Sequence, residues 1–418
     1  MSLPRMIKVR QHFDGPTLDD IEGTVRAEVA KMNLNSRVKP GDSVAISVGS
    51  RGVANIALIT KTLVEELKAA GTEPFIVPAM GSHGGGTAEG QRAIVEAYGV
   101  TEEYIGAPIR ATMEVEKVSE TEDGVPVYFD KYAFEADHVV VMGRVKPHTS
   151  FNGEIESGLH KMMLIGLGKH KGAALYHRAI VHYSFDRIVR SVGQQVMDKC
   201  GILFGLGIVE NQYDRTALIR AAAPEDFLET EKEMLILAKR WLPSIPFERI
   251  DLLIVDYIGK NISGAGMDTN VVGRKYNDHH AIDKEFPKVT RIFVRDLTEE
   301  THGNACGIGI AEYTHKRLSE KIDHSVTAIN AMTGNHPSAA AMAIYFDTDR
   351  EVLDAALKTV GLVEPENARV VRITDTLHLE EIQASESLMP EIEKHEELTV
   401  IEPLAEMSFD GAGDLLPL

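Results

Sequence analysis

Two histidines and one arginine stand where the sequence predicts that parallel strands end. Each follows a short apolar run: Arg51 comes after residues 42–49, His83 after 74–81 and His148 after 138–145. Ligands of open parallel sheets bind beyond the carboxyl ends of the strands. Imidazole can take and give a proton near neutrality, and guanidinium can hold a carboxylate or phosphate. Taken singly, each has a plainer interpretation as a surface arginine or a turn histidine, but their recurrence at equivalent loops predicts a site.

The glycine-rich stretch around His83 reads MGSHGGGT over residues 80–87. It has neither the spacing and Lys-Ser/Thr end of a Walker loop nor the G-x-G-x-x-G pattern of a dinucleotide fold. The glycines would let the backbone approach a ligand closely. An ordinary NAD dehydrogenase is therefore not indicated.

A second group of basic residues lies in the mostly apolar segment 156–183. The segment carries His160, Lys161, Lys169, His170, Lys171, His177 and His182. The plain interpretation is an amphipathic helix with a solvated face. A zinc site is the other, although the segment contains neither H-E-x-x-H nor H-x-H.

The elements that would position these residues alternate between strand and helix. Helical spacing over 53–71 and 88–99, with Thr87 as N-cap and Gly71 at the end, separates the three strands. This order predicts a mainly parallel sheet covered by helices. Pro243 and Pro246 interrupt the pattern at 241–250, which predicts a domain boundary.

Beyond that boundary a second series of elements begins. Strands are predicted over 251–259, 289–297 and 368–376, and a helix over 351–361. We therefore predict an α/β protein of two domains, each a mainly parallel or mixed sheet covered by helices, with the active site in the cleft between them. The N-terminal domain would bind the cofactor and span 1–245, with 395–418 as a segment that could complete it. The smaller C-terminal α/β domain would span 250–390.

Composition and charge argue against several classes of partner and metal site. The 418 residues include 63 acidic and 44 basic ones, a formal charge of −19, which argues against nucleic-acid and anionic-membrane partners. Two cysteines, Cys200 and Cys306, predict neither a disulfide framework nor a four-cysteine zinc site. The N-terminal residues lack the apolar core of a signal peptide, so we expect a cytoplasmic protein. A few local basic groups could still bind a small anionic substrate.

The set Arg51, His83, His148, Lys161 and His177 resembles that of the nickel-dependent lactate racemase family and its wider group of nickel-pincer-cofactor isomerases. The resemblance implies a pyridinium mononucleotide that holds nickel through two sulfurs and a ring carbon. It also implies a lysine that binds this cofactor covalently, a histidine as nickel's fourth ligand, and two histidines that accept and donate protons.

Carried over by position, the resemblance assigns a role to each residue. Lys161 matches the tethering lysine, and His177, which follows it by 16 residues, matches the nickel ligand. His83 and His148 match the two acid/base histidines. Ser50 and Arg51 would bind the cofactor, and Arg51 with Lys260 of the second domain would bind the substrate carboxylate. The implied activity is the racemisation or epimerisation of a 2-hydroxy acid.

Three departures from the lactate enzymes concern the substrate. Ser47-Val48-Gly49-Ser50 replaces an Asp-Arg pair, the interval from His148 to Lys161 is longer, and His160 directly precedes Lys161. A polyhydroxy, a dicarboxylic or a short aliphatic hydroxy acid all stay open. The enzymes that make the cofactor are expected partners, and a homo-oligomer is possible. Two other functions stay open from the residues alone: a metal-dependent hydrolase that uses the same histidines, and a non-enzymatic nucleotide- or metal-binding protein.

Overall fold

The computed structural model describes residues 2–50 and 52–418 and divides the chain into two compact units. The N-terminal unit is Gly15–Leu242, and the C-terminal unit joins Pro243–Leu418 to the stretch that ends at Asp14. Both units are α/β, as predicted.

The strands and helices of the described residues are numbered in chain order. The strands are β1 (Met6–Gln11), β2 (Ser43–Val48), β3 (Glu73–Pro78), β4 (Val115–Glu120), β5 (Pro126–Asp130), β6 (His138–Arg144), β7 (Ile202–Glu210), β8 (Thr216–Ala222), β9 (Arg249–Ile258), β10 (Lys288–Leu297), β11 (Tyr313–His315), β12 (Ile344–Phe346), β13 (Val370–Ile373), β14 (Glu381–Ser385) and β15 (Leu398–Ala405). The helices are α1 (Ile21–Ala30), α2 (Ile56–Ala69), α3 (Ala88–Ala97), α4 (Glu102–Ile105), α5 (Lys131–Glu135), α6 (Leu159–Lys161), α7 (Lys169–His182), α8 (Phe185–Lys199), α9 (Phe227–Arg240), α10 (Thr269–Val272), α11 (Lys316–Lys321), α12 (His324–Thr333), α13 (Asp349–Ala356) and α14 (Met389–Ile392).

The N-terminal unit is built on a five-stranded sheet with the order β3-β2-β6-β7-β8. The first four strands are parallel, and β8 runs antiparallel to β7. Alternate residues of β2 face two different cores: Ile46 packs with α1 and α2, and Ala45 packs with the helices of the other face. Burial on both faces explains why these strands read as continuous apolar runs.

The two predicted helices, 53–71 and 88–99, correspond to α2 and α3. The Thr87 hydroxyl accepts a hydrogen bond from the backbone N–H of Gly90 (3.1 Å) at the start of α3. Gly71, just past the end of α2, adopts a φ of +86°, which an L side chain rarely allows. These caps set the loops on either side of β3.

The C-terminal unit contains an eight-stranded mixed sheet with the order β12-β11-β10-β9-β13-β14-β1-β15. The first five strands are parallel, and the remaining pairs are antiparallel. This sheet corrects two predicted boundaries. β1 belongs here rather than to a domain of residues 1–245, and β15 pairs with β1 (Val9 opposite Val400) rather than completing the N-terminal unit. Pairing between the two ends of a chain depends on contacts that no local pattern encodes.

Buried charges hold the C-terminal segment onto this unit. The fully buried carboxylate of Asp349 accepts hydrogen bonds from Arg295 Nε (2.8 Å), from Arg317 Nη2 (3.0 Å) and from the backbone N–H of Leu415 (2.9 Å). Arg295 also donates to the carbonyl of Leu415 (2.7 Å). A buried ion pair of this kind is costly to break, because the remaining charge loses its compensation.

We expect Asp349→Ala to lower the unfolding free energy of the C-terminal unit by about 3 kcal/mol, because the buried Arg295 would keep Asp256 as its carboxylate partner but lose Asp349, and the backbone N–H of Leu415 would lose its acceptor. Urea denaturation followed by circular dichroism measures the change. Glu386→Ala, which removes an exposed pair with Arg5 in the same unit, is the matched control and should cost less than about 1 kcal/mol. Equal effects of the two variants would contradict a structural role of the buried cluster.

Among the helices of residues 2–50 and 52–418, none combines the length and the apolar character needed to cross a bilayer.

Candidate active site

The predicted site residues of the N-terminal unit follow the carboxyl ends of adjacent strands. Ser50 comes after β2, His83 after β3 and His148 after β6, and these three strands are neighbours in the sheet. Arg51, predicted to bind an anion, lies outside the described residues. Since the strands are parallel, their carboxyl ends share one edge of the sheet.

Ser50 and His83 are in direct contact. The Ser50 hydroxyl lies 2.5 Å from His83 Nδ1. A hydroxyl can donate or accept, so it is compatible with a proton on either nitrogen of the imidazole ring. The Tyr98 hydroxyl donates to the Ser50 carbonyl (2.8 Å), which fastens the β2 loop to α3's end. The proton of the His83 ring can therefore move between Nδ1 and Nε2 while the hydrogen bond with Ser50 is kept.

The segment that carries Lys161 lies across the same strand ends. It consists of α6, a π-helical turn over Met162–Gly166 and then α7. A Cβ added to Gly143 of β6 would come 2.7 Å from Met162 Cγ, and one added to Gly166 would come 2.9 Å from the carbonyl oxygen of Ala79. Only glycine permits these approaches, so the turn after Lys161 rests on the ends of β3 and β6. Single π-helical turns of this kind are frequent at functional sites.

Lys161 and His177 influence each other electrostatically. Burial of the His177 ring, assisted by the positive charge of Lys161, lowers the pKa of His177 to about 4. His177 is therefore neutral at physiological pH, which is the protonation state in which imidazole binds metals. Helix α7 thus returns His177 to the neighbourhood of the lysine from which it is separated by 16 residues.

The ring of Phe151 contacts the rings of both His148 and His177. The rings of His148 and Phe151 are stacked, with centroids 4.3 Å apart and an interplanar angle of 15°. The Phe151 ring in turn lies 5.8 Å from the His177 ring and stacks on Phe185 (4.5 Å). The stacked ring of Phe151 therefore supports the orientation of the His148 imidazole.

Backbone hydrogen bonds determine which nitrogen of the neutral His148 ring carries the proton. Its Nδ1 accepts from the backbone N–H groups of Ser150 (3.0 Å) and Phe151 (3.1 Å). An N–H can only donate, so the proton of the neutral ring is on Nε2. The backbone N–H of His148 donates to the buried carboxylate of Glu156 (2.9 Å), which also pairs with Lys239. His148 and His83 therefore differ at Nδ1: the backbone N–H groups at His148 fix one tautomer, whereas the Ser50 hydroxyl at His83 is compatible with either.

Lys260, the predicted ligand of the substrate carboxylate, belongs to the C-terminal unit. It follows β9, and its ammonium donates to the carbonyl of Gly264 (2.5 Å) within its own loop. Its backbone N–H donates to the Thr301 hydroxyl (3.2 Å). The substrate-binding role of Lys260 stays a prediction.

A separate grouping of potential metal ligands exists in the C-terminal unit. His315, Asp349 and Asp414 are the one set of three such side chains found within 4.8 Å of one another among residues 2–50 and 52–418. Their carboxylates are paired with Arg295 and Arg317, so the cluster is a structural ion network. The grouping gives no support to a metal-dependent hydrolase built from His83, His148 and His177.

Two residues near the site escaped the sequence analysis. Phe151 had no signal beyond its position three residues after His148. Lys169 was noted only as one of several basic residues, yet its side chain is fully buried, unlike those of its exposed neighbours His170 and Lys171. The apolar and glycine-rich sequence on its N-terminal side was the one available sign of its burial.

The comparison with protein families gives a match over part of the N-terminal unit. The sequence profile of the lactate racemase N-terminal domain matches residues 14–186. Over these residues the N-terminal unit is similar to the lactate racemase N-terminal domain. None of the curated proteins matches the chain significantly.

Two solved structures resemble the fold over most of the chain. The lactate racemase apoprotein of Thermoanaerobacterium thermosaccharolyticum aligns with a TM-score of 0.52 and 13% identity, over 88% of this chain and 94% of that protein. A protein of Thermotoga maritima solved by a structural genomics consortium aligns with the same TM-score and identity, over 87% of this chain and 98% of that one. At this identity the two likenesses establish the two-unit α/β fold alone.

Proposed function

We propose that this protein racemises or epimerises a 2-hydroxy acid with the help of a nickel pincer nucleotide bound covalently to Lys161. The observation that carries the proposal is the joint placement of a half-buried lysine, a neutral imidazole beside it and a histidine at a strand end, within a region similar to the lactate racemase N-terminal domain. Polar groups gathered at the carboxyl edge of a parallel sheet are typical of an active site.

The residues present fit this cofactor. The amine of Lys161 would supply the covalent attachment. His177, kept neutral by burial, would supply a ring nitrogen to nickel, for which imidazole is a suitable ligand. Ser50 and Arg51 would hold the nucleotide in the loop after β2, where Ser50 already contacts His83. When bound, the cofactor would provide an acceptor for a hydride.

The need for such an acceptor follows from the substrate. The C2–H of a 2-hydroxy acid is hard to remove as a proton, because the neighbouring carboxylate is already negative. Loss of hydride, coupled to removal of the hydroxyl proton, gives a planar keto acid instead. Return of the hydride to the opposite face then inverts the stereocentre.

His83 and His148 would handle the hydroxyl proton on the two faces. His83 can accept it on Nε2 while Nδ1 holds its proton toward the Ser50 hydroxyl. His148 carries its proton on Nε2 and would donate a hydrogen bond to the substrate oxygen. To act as a base on Nε2, it must first give up the hydrogen bonds of its Nδ1 to the 150–151 backbone. Arg51 and Lys260 remain the proposed ligands of the substrate carboxylate.

The test is isomerisation of a deuterated substrate by protein co-expressed with the enzymes that build the cofactor. Single enantiomers of short aliphatic, dicarboxylic and polyhydroxy 2-hydroxy acids, each deuterated at C2, are the probes. We expect inversion of one class with deuterium retained at C2 and no hydrogen taken up from solvent, because hydride does not exchange with water. Loss of the label to solvent would indicate proton abstraction, and inversion of no member of the panel would overturn the proposed activity.

A further inference from the structure

Lys169 is a fully buried ammonium at the first residue of α7. Its φ of +54° lies in the left-handed region, which strains the backbone of a residue with a side chain. Taking the charge out of water costs more still unless the ammonium is fully hydrogen-bonded. A charge placed at such a cost needs compensating partners close by.

Three oxygens surround the ammonium: two accept its hydrogen bonds and the third is its ion-pair partner. They are the carbonyl of Pro78 at the end of β3, the side-chain oxygen of Gln91 in α3 (3.2 Å) and the carboxylate of Asp130 (3.1 Å). Asp130 and Gln91 are also fully buried. Burial lowers the pKa of Lys169 and raises the pKa of Asp130, and each charge opposes the effect of burial on the other.

Gln91 also forms hydrogen bonds to the His83 loop, which consists of residues 81–87. Since the ammonium can only donate, the oxygen of the Gln91 amide must face it, and the amide nitrogen must face the other way. That nitrogen donates to the carbonyls of Gly81 (2.9 Å) and His83 (3.3 Å). The loop thus receives two hydrogen bonds whose direction is set by Lys169.

We propose that Lys169 and Gln91 are positioning residues, which hold the backbone of the His83 loop in register with the helix that carries His177. The inference rests on the proposed function for its consequence in catalysis. Lys169 lies eight residues after Lys161 and eight before His177, at the junction of the π-helical segment and α7. A movement of that junction would shift the His83 loop relative to Lys161 and His177.

The contacts that run from Lys169 through Gln91 to the His83 loop form a relay. Gln91→Leu tests this relay, because it removes both hydrogen bonds to the loop and leaves the ion pair of Lys169 with Asp130. In the cofactor-free protein we expect amide hydrogen exchange of residues 81–87 to accelerate by about tenfold or more, given that local opening follows the lost hydrogen bonds. Thr60→Val is the matched control: Thr60 is equally buried, and its hydroxyl donates to the Ile56 carbonyl (2.7 Å). Unchanged exchange of the loop in Gln91→Leu, or an equal rise in Thr60→Val, would overturn the proposal.

A second measurement tests the consequence for catalysis. In the loaded enzyme, Gln91→Leu should lower kcat by about tenfold or more with KM and nickel content unchanged, since misplacement of a catalytic group mainly affects the transition state. Gln91→Glu, which keeps an acceptor for Lys169 and has no amide donor, should behave like Gln91→Leu; wild-type exchange in it would contradict the relay. Faster loop exchange in a protein whose wild type never turns over a hydroxy acid would leave the relay standing and overturn the proposed function alone.

Discussion

Lys161→Ala should leave the protein without a covalent adduct and with little nickel when it is co-expressed with the cofactor-building enzymes. The amine of Lys161 is the proposed point of attachment. Its positive charge helps to lower the pKa of His177, the proposed metal ligand. Intact-protein mass spectrometry with metal analysis measures both quantities. In the wild type we expect an added mass of nucleotide size and nickel near one per chain.

Lys171→Ala is the control for this prediction. Lys171 lies in the same basic segment, but it is exposed and its ammonium rests over the ring of Tyr128 (4.3 Å). The variant should load like the wild type. An adduct that survives in Lys161→Ala would move the attachment elsewhere, and a wild type without adduct or nickel, under conditions that load a known lactate racemase, would remove the cofactor from the proposal.

His83→Ala and His148→Ala should each reduce turnover by about 10²- to 10⁴-fold while the cofactor stays bound. General acid–base catalysis contributes rate factors of this size, and neither histidine is the proposed nickel ligand. The measurement is the initial rate of inversion in both directions, together with the mass and nickel content of each variant. His182→Ala, an exposed histidine at the end of α7, should keep the wild-type rate.

The two histidines should also respond differently to glutamine. His148 holds its proton on Nε2 because its Nδ1 accepts two backbone N–H groups, so a glutamine amide can imitate its donor. His83 is proposed to accept a proton, which an amide cannot do. His148→Gln should therefore retain more activity than His83→Gln. Normal activity in either alanine variant would exclude that histidine from the mechanism.

Local patterns in the sequence accounted for the elements that present the site. The runs around Ile46 and Val140 predict buried strands, and Thr87 and Gly71 mark helix ends, because apolar periodicity and capping act within a few residues. The same signals predicted a domain boundary at 241–250, and the structure divides the chain after Leu242. His83 and His148 were assigned to strand-end loops for the same reason.

Contacts between distant residues were decided by the tertiary structure alone. The pairing of β1 with β15 places the two ends of the chain in one sheet, against the predicted boundaries. The buried pair of Lys169 with Asp130 likewise joins residues far apart in the chain and had no local sign. A pattern of residues reports which side chains prefer burial, whereas the partners that make a buried charge tolerable are supplied by segments far away in the chain.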